Sequence, residues 1–266
     1  MYLPSASNQQ KETFALPYIT KLVETRSEIK EALHLVYQKY NAAGFQKKNR
    51  AKMRINFHNL LPNSHTLIHK NNGVIEGTLT LVQEYYGTLP SSELFATEIQ
   101  QMHQKKSLIC ELSGFAMNTS SFKTSKRTLF SLFKSAFILG FDLLGCTDFC
   151  MMINPSHYNF YKNEMQFKTI GEVKHYKKVN GAPAILLKLN LTTCKELFLE
   201  KKPQLHNYFF IDNREKVKNQ LRPQLRHHKT LYADGLAQHL LETENFILAN
   251  LTAHEKEILH QYYPSL

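Results

Sequence analysis

In "SLICELSGFAM", Ser107 to Met117, a carboxylate (Glu111) and a hydroxyl (Ser113) interrupt an apolar run that reads as a strand. A carboxylate on such a strand is costly to bury unless it is hydrogen-bonded or works with a positive partner. It reads either as a general base or as a structural group holding a neighbouring strand or Arg54. In "NPSHYNFYKNEMQF", Asn154 to Phe167, the apolar run Phe149–Ile153 stops at Asn-Pro, and His157, Tyr158, Phe160 and Tyr161 follow at once. A phenol, with pKa about 10, can give a proton to a basic group. His157 can relay a proton near neutral pH, or it is a plain surface or capping histidine. In "FKTSKRT", Phe122 to Thr128, Lys123, Lys126 and Arg127 crowd a helix start. Free N–H groups and the positive dipole end favour an anion there. Cations at that place point to a phosphate, or to a solvated basic turn.

The elements that must position these groups follow from periodicity. "YITKLVE" reads as a strand. From Ser27 the register is helical, with Ile29, Ala32, Leu33, Val36 and Tyr40 on one face and Gly44 as the stop. Lys48 to Pro62 is a basic loop or irregular helix. A strand over His65–His69, the turn "NNG" and a return strand over Val74–Gln83 make a β-hairpin. A short helix spans Glu93–His103, and Ser107–Met117 is the next strand. Thr119–Lys126 is polar, with a Ser/Thr cluster suited to capping. Arg127–Phe141 is a strong amphipathic helix. Strands over Phe149–Ile153, Phe167–Tyr176 and Ala184–Leu191 follow, the last two joined by a turn at Asn180-Gly181. Residues 193–266 read as a helical extension that Pro203 and Pro223 divide. The expected class is α/β of the α+β type, a mixed and mostly antiparallel sheet flanked by helices. Its domains are 1–192 and the extension 193–266.

Composition narrows the classes. The 266 residues are 42% hydrophobic, with 17 Phe and 13 Tyr, enough for a sizeable core and not a disordered composition. The net charge of +11 calls for an acidic partner or ligand. No nucleic-acid-binding fingerprint is visible. Cys110, Cys146, Cys150 and Cys194 form no C-x-x-C pair and read as reduced core residues, so no metal site is expected. No signal peptide and no membrane-length apolar span is seen, which makes the cytoplasm the expected location, with peripheral membrane contact left open.

The stretches "LVYQKYNAAGF", "LLPNSHTLI", "GTLTLVQEYYGTLP", "ICELSGFAM" and "NPSHYNFYKNEMQFKTIGEVKHYKKVNGAPAILLKL" resemble the N-acyl amino acid synthases of the GNAT acyltransferase superfamily, relatives of the acyl-homoserine lactone synthases. The resemblance covers roughly residues 18–190. It implies transfer of an acyl group, long-chain in this family, from an acyl carrier protein thioester to the amine of an amino acid. No tightly bound cofactor is implied. The donor is an acyl-phosphopantetheine, on a carrier protein or on CoA. Glu111 and Ser113 match the family's Glu-x-Ser, with Glu111 deprotonating the substrate ammonium. The strand carrying Phe115 and Met117 would offer backbone N–H groups to the thioester, with these side chains and His157 near the substrate. The helix start, Lys123, Thr124, Ser125, Lys126 and Arg127, would receive the phosphate together with Asn154. Tyr161, seven residues after Asn154, fits the residue that protonates the leaving thiolate. An acidic carrier protein suits the positive charge.

This chain also departs from the pattern. The glycine-rich phosphate loop is missing. Gly114 stands where the family has an Arg, so His157, Lys52 or Arg54 would have to replace it. Gln166-Phe167 stands where a Gly-Phe usually closes the tyrosine's helix, one residue later than usual. Three other readings stay open. They are an acyl-CoA-dependent N-acyltransferase, an acyl-homoserine lactone synthase, and a basic interaction module on a GNAT scaffold without activity. Acceptor, chain length and oligomeric state are not legible.

Overall fold

The computed structural model describes residues 18–85, 87–118, 122–243 and 246–264. The polar lead-in over residues 1–13 and the Ser/Thr cluster at 119–121 lie outside them. β1 (Tyr18–Leu22) leads to Thr25, whose hydroxyl accepts from the Glu28 N–H and caps α1 (Arg26–Ala42). Ile29, Ala32, Leu33 and Val36 are buried on one stripe of α1. β2 (Ser64–Asn71) and β3 (Val74–Gln83) form the expected hairpin. Its turn residues Asn72 and Gly73 both have positive φ, 48° and 84°. The loop between α1 and β2 holds a single 3₁₀ turn, Phe57–Leu60, capped reciprocally by Asn56 and Asn59.

The chain then runs through α2 (Ala96–Gln104), β4 (Ile109–Met117), α3 (Phe122–Phe137), β5 (Asp148–Ile153), α4 (Tyr158–Asn163), β6 (Lys168–Thr169), β7 (Lys174–Tyr176) and β8 (Ala182–Asn190). The sheet order is β1-β2-β3-β4-β5-β8-β6, with β7 also on β8. Among the described strands only β4 and β5 pair in parallel; the other pairs are antiparallel.

Two elements differ from the periodicity. The helix expected over Arg127–Phe141 begins earlier, at Phe122, and its last turn is a π-helical segment, Ile138–Leu143. Gly140 lies there against β5. A Cβ on it would come within 2.4 Å of the Phe149 ring. The strand expected over Phe167–Tyr176 is two short strands. Between the pairs Thr169–Leu187 and Lys174–Ala184 one chain advances five residues and its partner three, so the surplus around Gly171 leaves the ladder.

The C-terminal helices are α5 (Cys194–Lys201), α6 (Pro203–His206) with a π-helical turn to Ile211, α7 (Arg214–Ala233), α8 (Leu236–Thr243), α9 (Phe246–Asn250) and α10 (Ala253–Tyr262). They pack on both faces of the sheet. Phe198 and Phe209 join Leu79, Leu112, Phe133 and Phe137 on the α3 face. Leu236, Leu240 and Ile258 join Ile29, Leu33 and Ile68 on the α1 face. Pro203 starts α6 as expected, but Pro223 does not divide the tail, for α7 runs through it. The carbonyl this deprives of a helical donor belongs to Asn219, a solvent-exposed residue. α7 lies along β1. The Leu22 N–H donates to Gln224 Oε1 at 3.1 Å, and Gln220 Nε2 donates to the Thr20 carbonyl at 3.2 Å.

Candidate active site

Glu111 sits in the middle of β4, opposite Val82 on β3 and beside Cys150 on β5. It is 1% exposed. Val82, Cys150 and Phe95 form the apolar cluster on its side of the sheet, where α2 packs. Ser91, in the segment before α2, donates twice to one carboxylate oxygen. Its N–H reaches Oε2 at 2.8 Å and its hydroxyl at 2.7 Å. Among the described residues no donor reaches Oε1 and no cation pairs with the carboxylate. Burial disfavours the ion and raises its pKa to about 7, against the two Ser91 bonds, which act the other way. The result is a carboxyl group poised to gain or lose a proton near neutrality, with one oxygen already committed to position.

β4 and β5 are paired only at Ile109–Asp148, Cys110–Phe149 and Glu111–Cys150. Beyond Glu111 the two strands part, while β4 runs on to Met117 and β5 to Ile153. The gap therefore opens at Glu111. Along its β4 wall the register with β3 slips, so that Gly114 and Phe115 together oppose Leu79. Gly114 has φ +57°, a left-handed conformation that a residue with a Cβ adopts at a cost, and a Cβ would lie 3.3 Å from Thr80 Oγ1. Ser113, half-buried, precedes this bulge and pairs with Thr80. Phe115 turns to the α3 face, 6.4 Å between ring centroids from Phe133, and Met117 packs against the same core.

Tyr161, on α4, stands on that opposite face. Its ring is enclosed by Phe160, Phe167 and Phe133 at centroid distances of 5.3, 6.1 and 6.2 Å. Burial pushes its phenol above the ordinary value, with the Tyr40 phenol acting in the same direction. No hydrogen bond ties its hydroxyl to any described residue. Gln166 takes the left-handed backbone (φ +60°) that usually suits a glycine, and donates from Nε2 to the Asn163 carbonyl at 2.7 Å. The Phe167 N–H then closes on the Tyr161 carbonyl at 3.0 Å. Glu111 and Tyr161 thus lie on opposite faces of the sheet and can meet a common molecule only through the gap between β4 and β5.

The other expected residues sit as follows. Asn154 ends β5, and its Oδ1 accepts from the Ser156 N–H at 3.0 Å, capping the Pro155–His157 turn. His157 is exposed on that turn. Lys123, Lys126 and Arg127 are exposed on the first turns of α3, with Thr124 and Ser125 half-buried among them. Arg127 lies 3.7 Å over the Tyr18 ring of β1, three strands from β4, and Lys126 lies 5.5 Å from the Phe130 ring centroid. Lys123, Lys126, Arg127, Phe130 and Tyr208 line a shallow pocket there. Of the substitutes for the missing arginine, Lys52 is exposed and Arg54 does not pair with Glu111. The four cysteines are free and buried. Among the described residues no group of three or more metal-ligating side chains is found, and no helix is long and apolar enough to cross a membrane.

Ser91 was not foreseeable, because a serine after Pro90 reads as a helix opening. Tyr176 on β7 was not foreseeable either. Its phenol is raised by burial, and it lies within electrostatic reach of Glu111, Glu93 and Arg54.

A model of the N-acyl amino acid synthase FeeM family matches residues 31–190, more than half of the chain, and the chain belongs to that family. The structure of FeeM, from uncultured soil microbes, superposes with a TM-score of 0.58 at 24% identity, covering 67% of this chain and 93% of that one. TofI, solved in a ternary complex with an inhibitor and MTA, gives 0.51 at 16% identity over 70% and 98%. The acyl-homoserine lactone synthase LasI gives 0.48 at 15% identity over 65% and 90%. No curated protein matches the sequence. Membership of that family makes this chain an N-acyltransferase, an enzyme that transfers an acyl group to an amine.

Proposed function

We propose that the chain moves a long-chain acyl group from the phosphopantetheine thioester of an acyl carrier protein to the amine of an amino acid. The observation that carries this is Glu111, a buried carboxyl group with pKa about 7 and one free oxygen at the point where β4 and β5 part. The thioester would lie in the gap, with backbone N–H groups of β4 beyond Glu111 turned to its carbonyl. Glu111 takes one proton from the acceptor ammonium, and the freed amine attacks the thioester carbon. The tetrahedral intermediate collapses with loss of the C–S bond. The second nitrogen proton passes to the thiolate, leaving an amide and a thiol. The raised phenol of Tyr161 holds its proton, so it serves the leaving sulfur as a hydrogen-bond donor and relay rather than as a free acid. The Phe115, Phe133 and Phe160 side of the gap suits an acyl chain. The positive charge of the chain, +11, suits an acidic carrier-protein donor. The phosphate contacts would fall to the start of α3 and Asn154, and the reaction would take place in the cytoplasm.

The test is mass spectrometry of lipid extracts from cells expressing the protein, beside cells expressing Glu111→Gln. New N-acyl amino acids in the first and none in the second are expected, and they name acceptor and chain length together. Equal extracts with both proteins soluble would overturn the reading.

A further inference from the structure

We infer that Arg54 binds the α-carboxylate of the acceptor, so that the enzyme selects amino acids over simple amines. This rests on the proposed reaction and names what recognises its second substrate. Arg54 is half-buried in the loop after α1, its backbone N–H fixed to the Leu33 carbonyl at 3.1 Å. Its guanidinium lies 4.4 Å over the Tyr40 ring, and Nη1 donates to Gln46 Oε1 at 3.0 Å. A guanidinium carries five N–H donors in a planar fork. Among the described residues no other hydrogen bond and no carboxylate meets it. A half-buried cation stacked on an aromatic face, with most of its donors unspent and no counter-ion, is a site built for an oxyanion.

The position names the oxyanion. Met53 and Ile55, on either side of Arg54, pack into the α1-side core, on the face of the sheet that Glu111 shares. Tyr176 on β7 lies within electrostatic reach of both Glu111 and Arg54. The loop is held to the β7–β8 hairpin by Asn180, whose Nδ2 donates to the Gly44 carbonyl at 2.7 Å. Glu111, an anion, and Arg54, a cation, thus lie on one face of the sheet, and the loop of Arg54 is tied to the hairpin that carries Tyr176. A zwitterion satisfies both, with its ammonium toward Glu111 and its carboxylate toward Arg54. A phosphate of the donor would belong to the other side of the gap.

The experiment compares an amino acid acceptor with its primary amide and its decarboxylated amine, using dodecanoyl-loaded carrier protein. The wild type is expected to prefer the acid by about tenfold or more in kcat/KM. In Arg54→Gln that preference collapses through the KM of the acid, with the KM of the donor unchanged, and Arg54→Lys keeps part of it. Binding is measured in parallel by calorimetry with N-dodecanoylglycine and its primary amide. The wild type favours the acid by a similar factor and Arg54→Gln does not. Transfer to acid and amide alike, a preference that survives in Arg54→Gln, or a change confined to the donor KM would overturn the assignment and leave the proposed reaction standing. Absence of transfer to any amine would overturn the reaction instead. Loss of the N-dodecanoylglycine preference in Arg54→Gln would still uphold the carboxylate site in that case.

Discussion

Ser91 donates both its N–H and its hydroxyl to Oε2 of Glu111, and no described residue donates to Oε1. These bonds favour the carboxylate, whereas burial opposes it. Activity should therefore rise with pH through about 7 and level off above it, as Glu111 loses its proton. In Ser91→Ala one favouring donor is gone, so the limb should move to higher pH and the rate at pH 7 fall severalfold. An unshifted limb in a pH–rate profile of kcat/KM would separate Glu111 from the titration.

Glu111→Gln should lower kcat by about 10²- to 10⁴-fold, the usual weight of a general base. The stability change has the opposite sign. The folded pKa of Glu111 stands above its unfolded value of about 4.5, so its contribution is fully present below 4.5 and is lost as pH rises through about 7. The glutamine keeps an acceptor for Ser91 and carries no buried charge. Its melting temperature should match or exceed the wild type's by a few degrees at pH 8, and the gain should shrink at pH 5. Scanning calorimetry at both pH values checks this.

Tyr161→Phe should leave the fold intact, because the ring contacts to Phe133, Phe160 and Phe167 remain and the hydroxyl has no described partner to lose. A loss of about ten- to a hundredfold in kcat, with little change in the KM of the acceptor, is expected. Single-turnover amide formation measures it. A wild-type rate would remove the phenol from the leaving-group step.

Acid should act on the fold through His65 on β2 and His228 on α7, whose rings lie 4.7 Å apart at their centroids and are both buried. Burial holds His228 neutral down to about 4 and pushes His65 well below the ordinary 6.5, with the His228 ring and Lys229 adding to the penalty on His65. Folded values below the unfolded 6.5 mean stability that is present above pH 6.5 and falls as pH drops toward 4. From His228 alone this amounts to roughly 3 kcal/mol. Urea midpoints at pH 7.5 and 5.0 should show the loss, and His228→Phe should flatten it.

Gly114→Ala forces a Cβ onto a left-handed residue facing Thr80, and should cost about 1–2 kcal/mol. An equal urea midpoint would show that the bulge relaxes.

Most of the frame was legible from period and turn chemistry. The Asn72-Gly73 hairpin, the apolar stripe of α1, the strand through Glu111 and the helix beneath Phe133 all follow from local patterns. The π-helical end of α3, where Gly140 lies close against Phe149, was not legible, because that contact is tertiary. Pro223 misled too, since the helical carbonyl it deprives of a donor belongs to Asn219, an exposed residue. In the site, sequence can mark a carboxylate on an apolar strand but cannot see which donors reach it. Ser91, Tyr176 and the lack of a counter-ion at Arg54 are products of tertiary placement. The contact of the Arg127 guanidinium with Tyr18 on β1 is likewise tertiary and cannot be read from its charge.

The two glutamines of α7 on β1 bear on behaviour in concentrated solution. Among the described strands β1 is the outermost at its end of the sheet, and such a strand invites pairing with another molecule's backbone. Gln220 and Gln224, one helical turn apart, occupy a carbonyl and an N–H of that strand as a ninth strand would. They do so without offering a fresh ladder of their own. Gln220→Leu with Gln224→Leu would leave those groups bare, and self-association through β1 is the expected result.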